Sequence, residues 1–159
     1  MAFELKSPAF SASTRIPKAH TGEGKDASPA LNWADAPAGT KSFVLIMDDP
    51  DAPVGLWIHW VMYDIPGTVH SLPEGLAKIE SLPDGAKQGL CWAVRDEDCD
   101  RVGYYGPLPP PGKPHRYFFK LYALDAVLNL PPKAAKGQVV AAMKGRILGE
   151  AQLIGIYER

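Results

Sequence analysis

The sequence lacks the features that mark several large classes of protein. It contains no apolar run approaching the ~20 residues that are needed to cross a bilayer. Its first residues lack the basic and apolar segments of a secretion signal. Its net charge is −1, so no overall attraction to nucleic acid or acidic membranes is expected. We therefore expect a cytoplasmic protein without stable membrane insertion and without a nucleic-acid partner.

Cysteine is also scarce. Cys91 and Cys99 form neither a CxxC motif nor a zinc-type spacing. In a reducing compartment we interpret them as free thiols, with a disulfide within one loop as the alternative. A chain of 159 residues can bury about two-thirds of its unfolded surface, so neither a metal nor a disulfide is needed for stability. No cofactor and no metal site are expected.

Proline and glycine, in contrast, are abundant. The chain has 15 glycines and 16 prolines, well above the usual combined share of about 12%. Such a composition predicts many turns and few long helices, which favours a β-rich fold. The length fits one domain spanning residues 1–159.

Several stretches have the composition and periodicity of strands. A continuously apolar run at 43–47 is typical of a strand covered on both faces. Residues 3–9, 116–124 and 151–157 are further predicted strands, and 57–63 is rich in aromatic and β-branched residues. Period-2 alternation predicts two shared faces, one with Trp57, His59, Val61 and Tyr63, the other with His115, Tyr117, Phe119 and Leu121.

One helix is predicted near the C-terminus. Leu130-Pro131-Pro132 can begin a helix, because proline is tolerated in the first turn. Gly149 suits its C-terminal cap. The apolar stripe of this helix would consist of Val139, Val140, Met143 and Ile147.

Acidic and imidazole groups follow the apolar run in a short, rigid segment. Residues 48–60 read DDPDAPVGLWIHW, with three aspartates among two prolines and His59 between two tryptophans. Asp49 or Asp51 could hold a ring nitrogen of His59 or His115, so that a charged imidazole donates to a phosphate or sulfate oxygen. Alternatively the aspartates cap turns through their own backbone, and we expect them to divide these tasks.

A proline-rich loop precedes the second histidine. Residues 104–117 read YYGPLPPPGKPHRY, and the five prolines among them donate no backbone N–H. The loop is therefore expected to form a stiff wall with few fixed donors. Gly106 is the favoured donor, because it lacks a side chain and permits close approach of a ligand. An alternative interpretation is a proline-rich ligand for an SH3-type partner.

These motifs together resemble those of the phosphatidylethanolamine-binding protein family, in particular its bacterial and archaeal Raf kinase inhibitor-like branch. The resemblance rests on DPDAP at 49–53, WIHW at 57–60 and GPLPPPGKPHRY at 106–117. It extends from about Ser28 to the end of the chain, and includes PAGTKSF before the first motif and the segment from Glu150 to Tyr157.

The resemblance implies a β-sandwich-like fold. In such a fold a large antiparallel sheet packs on a smaller one, with a C-terminal helix and short peripheral helices. It also implies a cis peptide bond at Ala52–Pro53. The ligand-binding residues carried over by motif position are Asp49, Asp51, Pro53, His59, Gly106, Pro109, His115 and Tyr117.

Two departures from the family pattern concern the pocket. The stretch 87–101 lacks the usual family pattern, which indicates an altered loop at the pocket edge. The loop that ends at His115 is about one residue short, so the equivalence of Leu108 and Pro109 to family positions is open.

The resemblance implies a non-catalytic module that binds phosphate, phosphorylated head groups or similar anions. Such a module would modulate protein partners such as kinases or serine proteases, and a homodimer is compatible with the sequence. The alternatives are a serine-protease inhibitor and a metal-assisted phosphoester hydrolase that uses Asp49, His59 and His115. The three motifs contain no Ser, Thr or Cys nucleophile, so we expect no enzyme.

Overall fold

The computed structural model describes residues 2–159, and these contain eleven strands, one α-helix and two short 3₁₀ turns. The 3₁₀ turns are Lys18–His20 and Asp96–Asp98. The strands and the helix, in chain order, are β1 (Glu4–Lys6), β2 (Thr14–Arg15), β3 (Leu31–Ala34), β4 (Ser42–Asp49), β5 (Trp57–Pro66), β6 (Ser71–Leu72), β7 (Lys87–Gln88), β8 (Leu90–Cys91), β9 (Arg101–Val102), β10 (His115–Leu124), α1 (Lys136–Met143) and β11 (Ile147–Tyr157).

The strands form one large and two small sheets. The large sheet has the order β2-β11-β10-β4-β5-β7 and is antiparallel apart from the parallel pairing of β2 with β11. Strands β1, β3 and β6 form a three-stranded antiparallel sheet, and β8 pairs with β9. The predicted mainly β fold, with a large sheet and a smaller one, is confirmed.

The main hydrophobic core lies between the large sheet and the three-stranded sheet. Leu31 and Trp33 of β3 belong to one buried cluster with Leu45 and Met47 of β4 and Phe119 of β10. Burial of such side chains contributes about 1.5–3 kcal/mol each, which makes this layer the principal source of stability.

A second cluster covers the opposite face of the large sheet. Val44 and Ile46 of β4 lie there with Val61 of β5, and Val139 and Met143 of α1 belong to the same cluster. Every residue of β4 is buried, because one face contacts each core. The prediction of a strand covered on both faces is therefore confirmed.

Strand β5 contains a bulge at His59. Ile58 pairs with Asp48, whereas Trp60 pairs with Met47, so His59 is an extra residue without a partner on β4. A bulge interrupts the alternation of side chains between faces. Ile58 consequently lies in the same cluster as Val61 and Tyr63, and the strict period-2 assignment across 57–63 is wrong.

The predicted helix is shorter than expected. Asn129 and Lys133 have positive φ values of 56° and 65°, which interrupt the backbone before Lys136. At the other end Gly145, with a φ of 76°, precedes β11, so Ile147 and Gly149 belong to a strand. Helix α1 has eight residues, and residues 2–159 include no helix long and apolar enough to span a membrane.

Cys91 and Cys99 are separate buried thiols. Burial raises the pKa of the Cys91 thiol to about 12 and that of Cys99 to about 11. Both groups are therefore protonated near neutral pH, as expected for cysteines that serve as small apolar residues.

Gln88 joins the core to the connection between β6 and β7. Its side-chain oxygen accepts a hydrogen bond from the Trp60 indole N–H at 2.8 Å. Its amide nitrogen donates to the carbonyl oxygens of Ala77 and Ile79, both at 2.8 Å. Gln88 is 1% exposed, so no solvent can replace these bonds.

Replacing Gln88 by alanine is expected to lower the free energy of unfolding by about 2–4 kcal/mol, because a buried indole N–H and two carbonyls lose their partner. Urea denaturation of Gln88→Ala measures the change. The matched control is Gln152→Ala, at an exposed position of β11, where a change within about 0.5 kcal/mol is expected. Equal losses in the two variants would contradict this role of Gln88.

Candidate functional site

A cavity of about 250 Å³ opens at the end of the large sheet where β4 ends and β10 begins. Six of the eight predicted binding residues line it, and Gly106 and Asp51 do not. Its four polar lining residues are Asp49, His59, His115 and Tyr117. The remaining lining residues are apolar, namely Ala52, Pro53, Val54, Trp57, Trp92, Leu108, Pro109 and Pro110.

Asp49 and His115 form a buried pair that joins β4 to β10. His115 Nδ1 donates a hydrogen bond to Asp49 Oδ2 at 2.7 Å, and the two residues are 7% and 3% exposed. The carboxylate fixes the ring orientation and leaves Nε2 as the outer nitrogen. Asp49 thus orients His115, one of the two histidines that the sequence allowed for this role.

Asp51 anchors the segment after β4 to the neighbouring strand. Its carboxylate accepts two side-chain bonds from Arg116, both at 2.9 Å, and one from the Arg116 backbone N–H. The Arg116 guanidinium lowers the pKa of Asp51 to about 2, against the opposing effect of burial. Asp51 lines a neighbouring open cavity that shares Pro53, Pro110 and His115 with the main one. The expected division of tasks is therefore wrong, because Asp49 both holds His115 and caps the turn, whereas Asp51 pairs with Arg116.

The turn between β4 and β5 is closed without a cis peptide. Asp49 Oδ1 accepts the Asp51 backbone N–H at 2.7 Å, and the Gly55 N–H donates to the Ala52 carbonyl at 3.1 Å. Gly55 has a φ of 128°, a conformation that favours glycine. Residues 2–159 contain no cis peptide bond, so the expected cis bond at Ala52–Pro53 is wrong. The side-chain turn and the glycine reverse the chain instead.

His59 is oriented by a backbone carbonyl and not by an aspartate. Its Nδ1 donates to the Tyr105 carbonyl oxygen at 2.5 Å, and its ring packs edge-on against Trp92 and Tyr117. Burial lowers the pKa of His59 to about 4, while the Tyr105 carbonyl and the Asp49 carboxylate act in the opposite direction. His59 is therefore neutral near pH 7, which corrects the expectation of a charged imidazole at this position.

Gly106 directs its N–H away from the cavity. The N–H donates to Asp26 Oδ1 at 2.7 Å, and a Cβ atom at this position would lie 2.1 Å from the His20 carbonyl oxygen. The glycine thus permits close packing against the segment around Asp26. Leu108 lines the cavity instead, and its N–H donates to no acceptor within residues 2–159. Among the loop residues that line the cavity, Leu108 is the one with a backbone N–H, because the others are Pro109 and Pro110.

Tyr117 presents a hydroxyl group without a partner. The residue is fully buried, and its hydroxyl makes no hydrogen bond of normal geometry within residues 2–159, although the Asp49 carboxylate lies near enough to interact with it. Burial and the nearby Asp49 carboxylate raise the pKa of Tyr117, so the hydroxyl stays protonated. A buried polar group without a partner normally costs about 1–3 kcal/mol. Tyr117 is therefore the cavity residue with the clearest need for a ligand acceptor.

Trp92 lines the cavity and was not among the predicted site residues. It belongs to the divergent stretch 87–101, and the Trp92 N–H donates to the Ile58 carbonyl beside the bulge. Its ring lies edge-on to Trp57 and His59, with ring centroids 5.5 and 5.4 Å apart. Its φ of 80° is unusual for a residue with a side chain. The sequence signal that could have identified Trp92 is its position in the stretch 87–101, which departs from the family pattern at the pocket edge.

The cavity does not present a metal-binding cluster. Within residues 2–159 no group of three or more His, Cys, Asp or Glu side chains is placed to hold a metal ion. Both oxygens of Asp49 already accept hydrogen bonds, from His115 and Asp51. The side-chain arrangement therefore does not support the metal-assisted alternative with Asp49, His59 and His115.

The β-sheet scaffold thus holds two imidazoles, a carboxylate and a tyrosine around one cavity. The sequence profile of the phosphatidylethanolamine-binding protein family matches residues 6–158. The chain therefore belongs to the phosphatidylethanolamine-binding protein family.

Individual relatives agree with this assignment. A UPF0098 protein of Aquifex aeolicus is 49% identical over 98% of this chain and 88% of its own. One from Methanothermobacter thermautotrophicus is 48% identical over 98% of both chains. The crystal structure of the family homologue CT736 from Chlamydia trachomatis has a TM-score of 0.87 at 40% identity, covering 99% of this chain and 98% of its own. Escherichia coli YbcL, described as a member of the mammalian family, has a TM-score of 0.86 at 32% identity, covering 100% and 99%.

The neutral state of His59 predicts a specific pH dependence of stability. Its pKa is about 4 in the folded protein and about 6.5 in the unfolded chain, so between these values only the unfolded chain takes up the proton. His59 should therefore lower the free energy of unfolding by about 2 kcal/mol when the pH falls from about 7 to about 5.

The variant His59→Gln lacks this titrating group. The difference between the parent protein and the variant in how the free energy of urea unfolding changes between these two pH values measures the contribution of His59. His70→Gln is the control, because it removes an exposed histidine and should leave the pH dependence unchanged. The same pH dependence in His59→Gln and the parent protein would show that His59 titrates normally.

Proposed function

We propose that the protein is a non-catalytic binding module for small organic anions of the phosphoryl class. The observation that carries this proposal is the buried Tyr117 hydroxyl, which lacks an acceptor within residues 2–159 and lines the cavity. Leu108 lines the same cavity and its N–H has no acceptor within residues 2–159, so we assign it as a second donor. A hydroxyl and a backbone N–H on residues that line a partly apolar cavity suit an oxyanion that carries an organic substituent.

His115 supplies the positive charge in this proposal. Its Nδ1–H is held by Asp49, so a second proton on Nε2 gives an N–H donor directed to the ligand. The Asp49 carboxylate neutralises the resulting imidazolium, and the ligand anion then contacts a charge-assisted donor. Since Asp49 is buried, the pair presents a fixed geometry instead of a mobile surface charge.

The cavity walls suit an apolar substituent on the anion. Trp57 and Trp92, whose rings pack edge-on, line the cavity together with Leu108, Pro109 and Pro110. Proline residues have restricted backbones, so little conformational entropy is lost when a ligand orders against them. A small aryl or alkyl phosphate is the ligand chemistry that uses both the donors and the walls.

The proposed role is recognition and not turnover. The residues lining the cavity, all within 2–159, include no Ser, Thr or Cys that could act as a nucleophile. A regulatory action on a kinase or a serine protease, expected from the family resemblance, would then involve the surface at the cavity mouth. Val54 and Leu108 are exposed there, at 70% and 41%.

Tyr117→Phe is expected to weaken binding of phenyl phosphate about 10- to 150-fold, the effect of a hydrogen bond to a charged group. Stability should rise by about 1–3 kcal/mol, because the variant removes a buried hydroxyl that lacks an acceptor among residues 2–159. Calorimetric titration measures the affinity, and urea unfolding measures the stability. Tyr122→Phe, at a half-buried position of the same strand, is the matched control. Unchanged affinity in Tyr117→Phe would show that the anion does not bind here.

His115→Ala is expected to weaken the same ligand at least tenfold, since it removes the charged donor. It should also cost about 1–3 kcal/mol of stability, because Asp49 Oδ2 loses its partner, while the circular dichroism spectrum stays that of a folded β protein. His70→Ala removes an exposed histidine and should change neither property. Wild-type affinity in the His115 variant would contradict the proposed placement of the ligand.

A further inference from the structure

His59 offers the cavity a hydrogen-bond acceptor. Its Nδ1 lies 2.5 Å from the Tyr105 carbonyl oxygen, and a carbonyl only accepts, so Nδ1 carries the ring proton. In a neutral imidazole the other nitrogen then bears a lone pair. Tyr105 does not line the cavity whereas His59 does, which leaves Nε2 as the nitrogen on the cavity side. No residue from 2 to 159 donates a hydrogen bond to it.

The surroundings keep this ring uncharged. His59 is 3% exposed and packs against the rings of Trp92 and Tyr117. Burial is the dominant influence and lowers the pKa of His59 to about 4, although several groups act in the opposite direction. The titratable groups around it are Asp49 on β4, His115 and Tyr117 on β10, and Asp26. Near neutral pH the cavity therefore combines donors with the His59 acceptor, beside the Asp49 carboxylate, whose two oxygens already accept hydrogen bonds from Asp51 and His115.

This combination discriminates between oxyanions. A sulfate ester carries acceptor oxygens only, and against Nε2 it would place one lone pair on another. The monoanion of a phosphate ester carries one P–OH group, which can donate to Nε2 while its other oxygens accept. Sites built to pair with a hydroxyl group discriminate strongly against analogues that lack it, because the buried polar group is then left unpaired.

We propose that the cavity selects oxyanions that carry a proton, with organic phosphate monoanions as the ligand class and sulfate esters as the rejected class. This inference rests on the proposed function, since it concerns the same cavity and the same donors. It assigns to His59 a role in specificity, distinct from the charge that His115 supplies. The second ionisation of a phosphate ester has a pKa near 6, so the site takes the minor form of the ligand near pH 7.

The test compares phenyl phosphate with phenyl sulfate by calorimetry at about pH 5, where both ligands are monoanions of similar shape. The two ligands differ in the P–OH proton, which phenyl sulfate lacks. The protein is at the same pH in both experiments, so a difference in affinity reports on the ligands. Phenyl phosphate is expected to bind at least tenfold more tightly. Raising the pH above about 6 should weaken phenyl phosphate more steeply than phenyl sulfate, since only the phosphate loses its proton.

A variant tests the assignment to His59. His59→Gln replaces a fixed acceptor by an amide that can turn its NH₂ towards the ligand, so the preference for phenyl phosphate should fall to less than threefold. His70→Gln, at an exposed position, should retain the full preference.

The outcomes separate this inference from the proposed function. Equal affinity of the parent protein for the two esters overturns the inference and leaves the anion site standing. Failure of both esters to bind overturns the proposed function and the inference together. A parent preference that persists in His59→Gln overturns the role of His59. The comparison of the two esters on the parent protein needs no variant, so a His59 variant that fails to fold does not weaken it.

Discussion

A buried carboxylate needs a partner, and in this protein that requirement joins the two motifs that form the cavity. Asp49 ends β4 and His115 begins β10, and their hydrogen bond spans neighbouring strands. Leaving a buried carboxylate without its hydrogen-bond donor costs about 1–3 kcal/mol, more than an exposed pair contributes. The imidazole therefore cannot reorient freely, and the fold holds one wall of the cavity in place through the same contact that stabilises the sheet edge.

Much of the architecture follows from local sequence. The apolar run of β4 predicted a strand buried on both faces, and alternation in β10 placed His115 and Tyr117 on one face with Phe119. These predictions succeed because strand periodicity is a property of neighbouring residues. The two uses expected of the aspartates, turn capping and imidazole pairing, both occur, but Asp49 performs both of them and Asp51 pairs with Arg116 instead.

The remaining features depend on contacts that are remote in sequence. Asp26 takes the Gly106 N–H from a distance of eighty residues, so sequence neighbours could not reveal that this donor was occupied. The bulge at His59 depends on the pairing register with β4, which one strand does not encode by itself. The partner of His59 proved to be the Tyr105 carbonyl, and backbone acceptors leave no signature in the identity of the residue that supplies them. The expected cis bond came from resemblance alone, and the local turn chemistry differs.

In a regular strand every side chain belongs to one face or the other, which conflicts with supplying a residue to a ligand cavity. The bulge at His59 removes this conflict. Residues on either side of His59 retain their places in the two cores, while the inserted residue is free of the pairing pattern. Substitution at this one position can therefore alter what the cavity accepts without shifting the register of β5 on β4, although it changes the ring contacts with Trp92 and Tyr117. A single substitution at position 59 is thus a route by which proteins with this fold change their ligand preference. The same position is a suitable target for engineering ligand specificity while the strand pairing is kept.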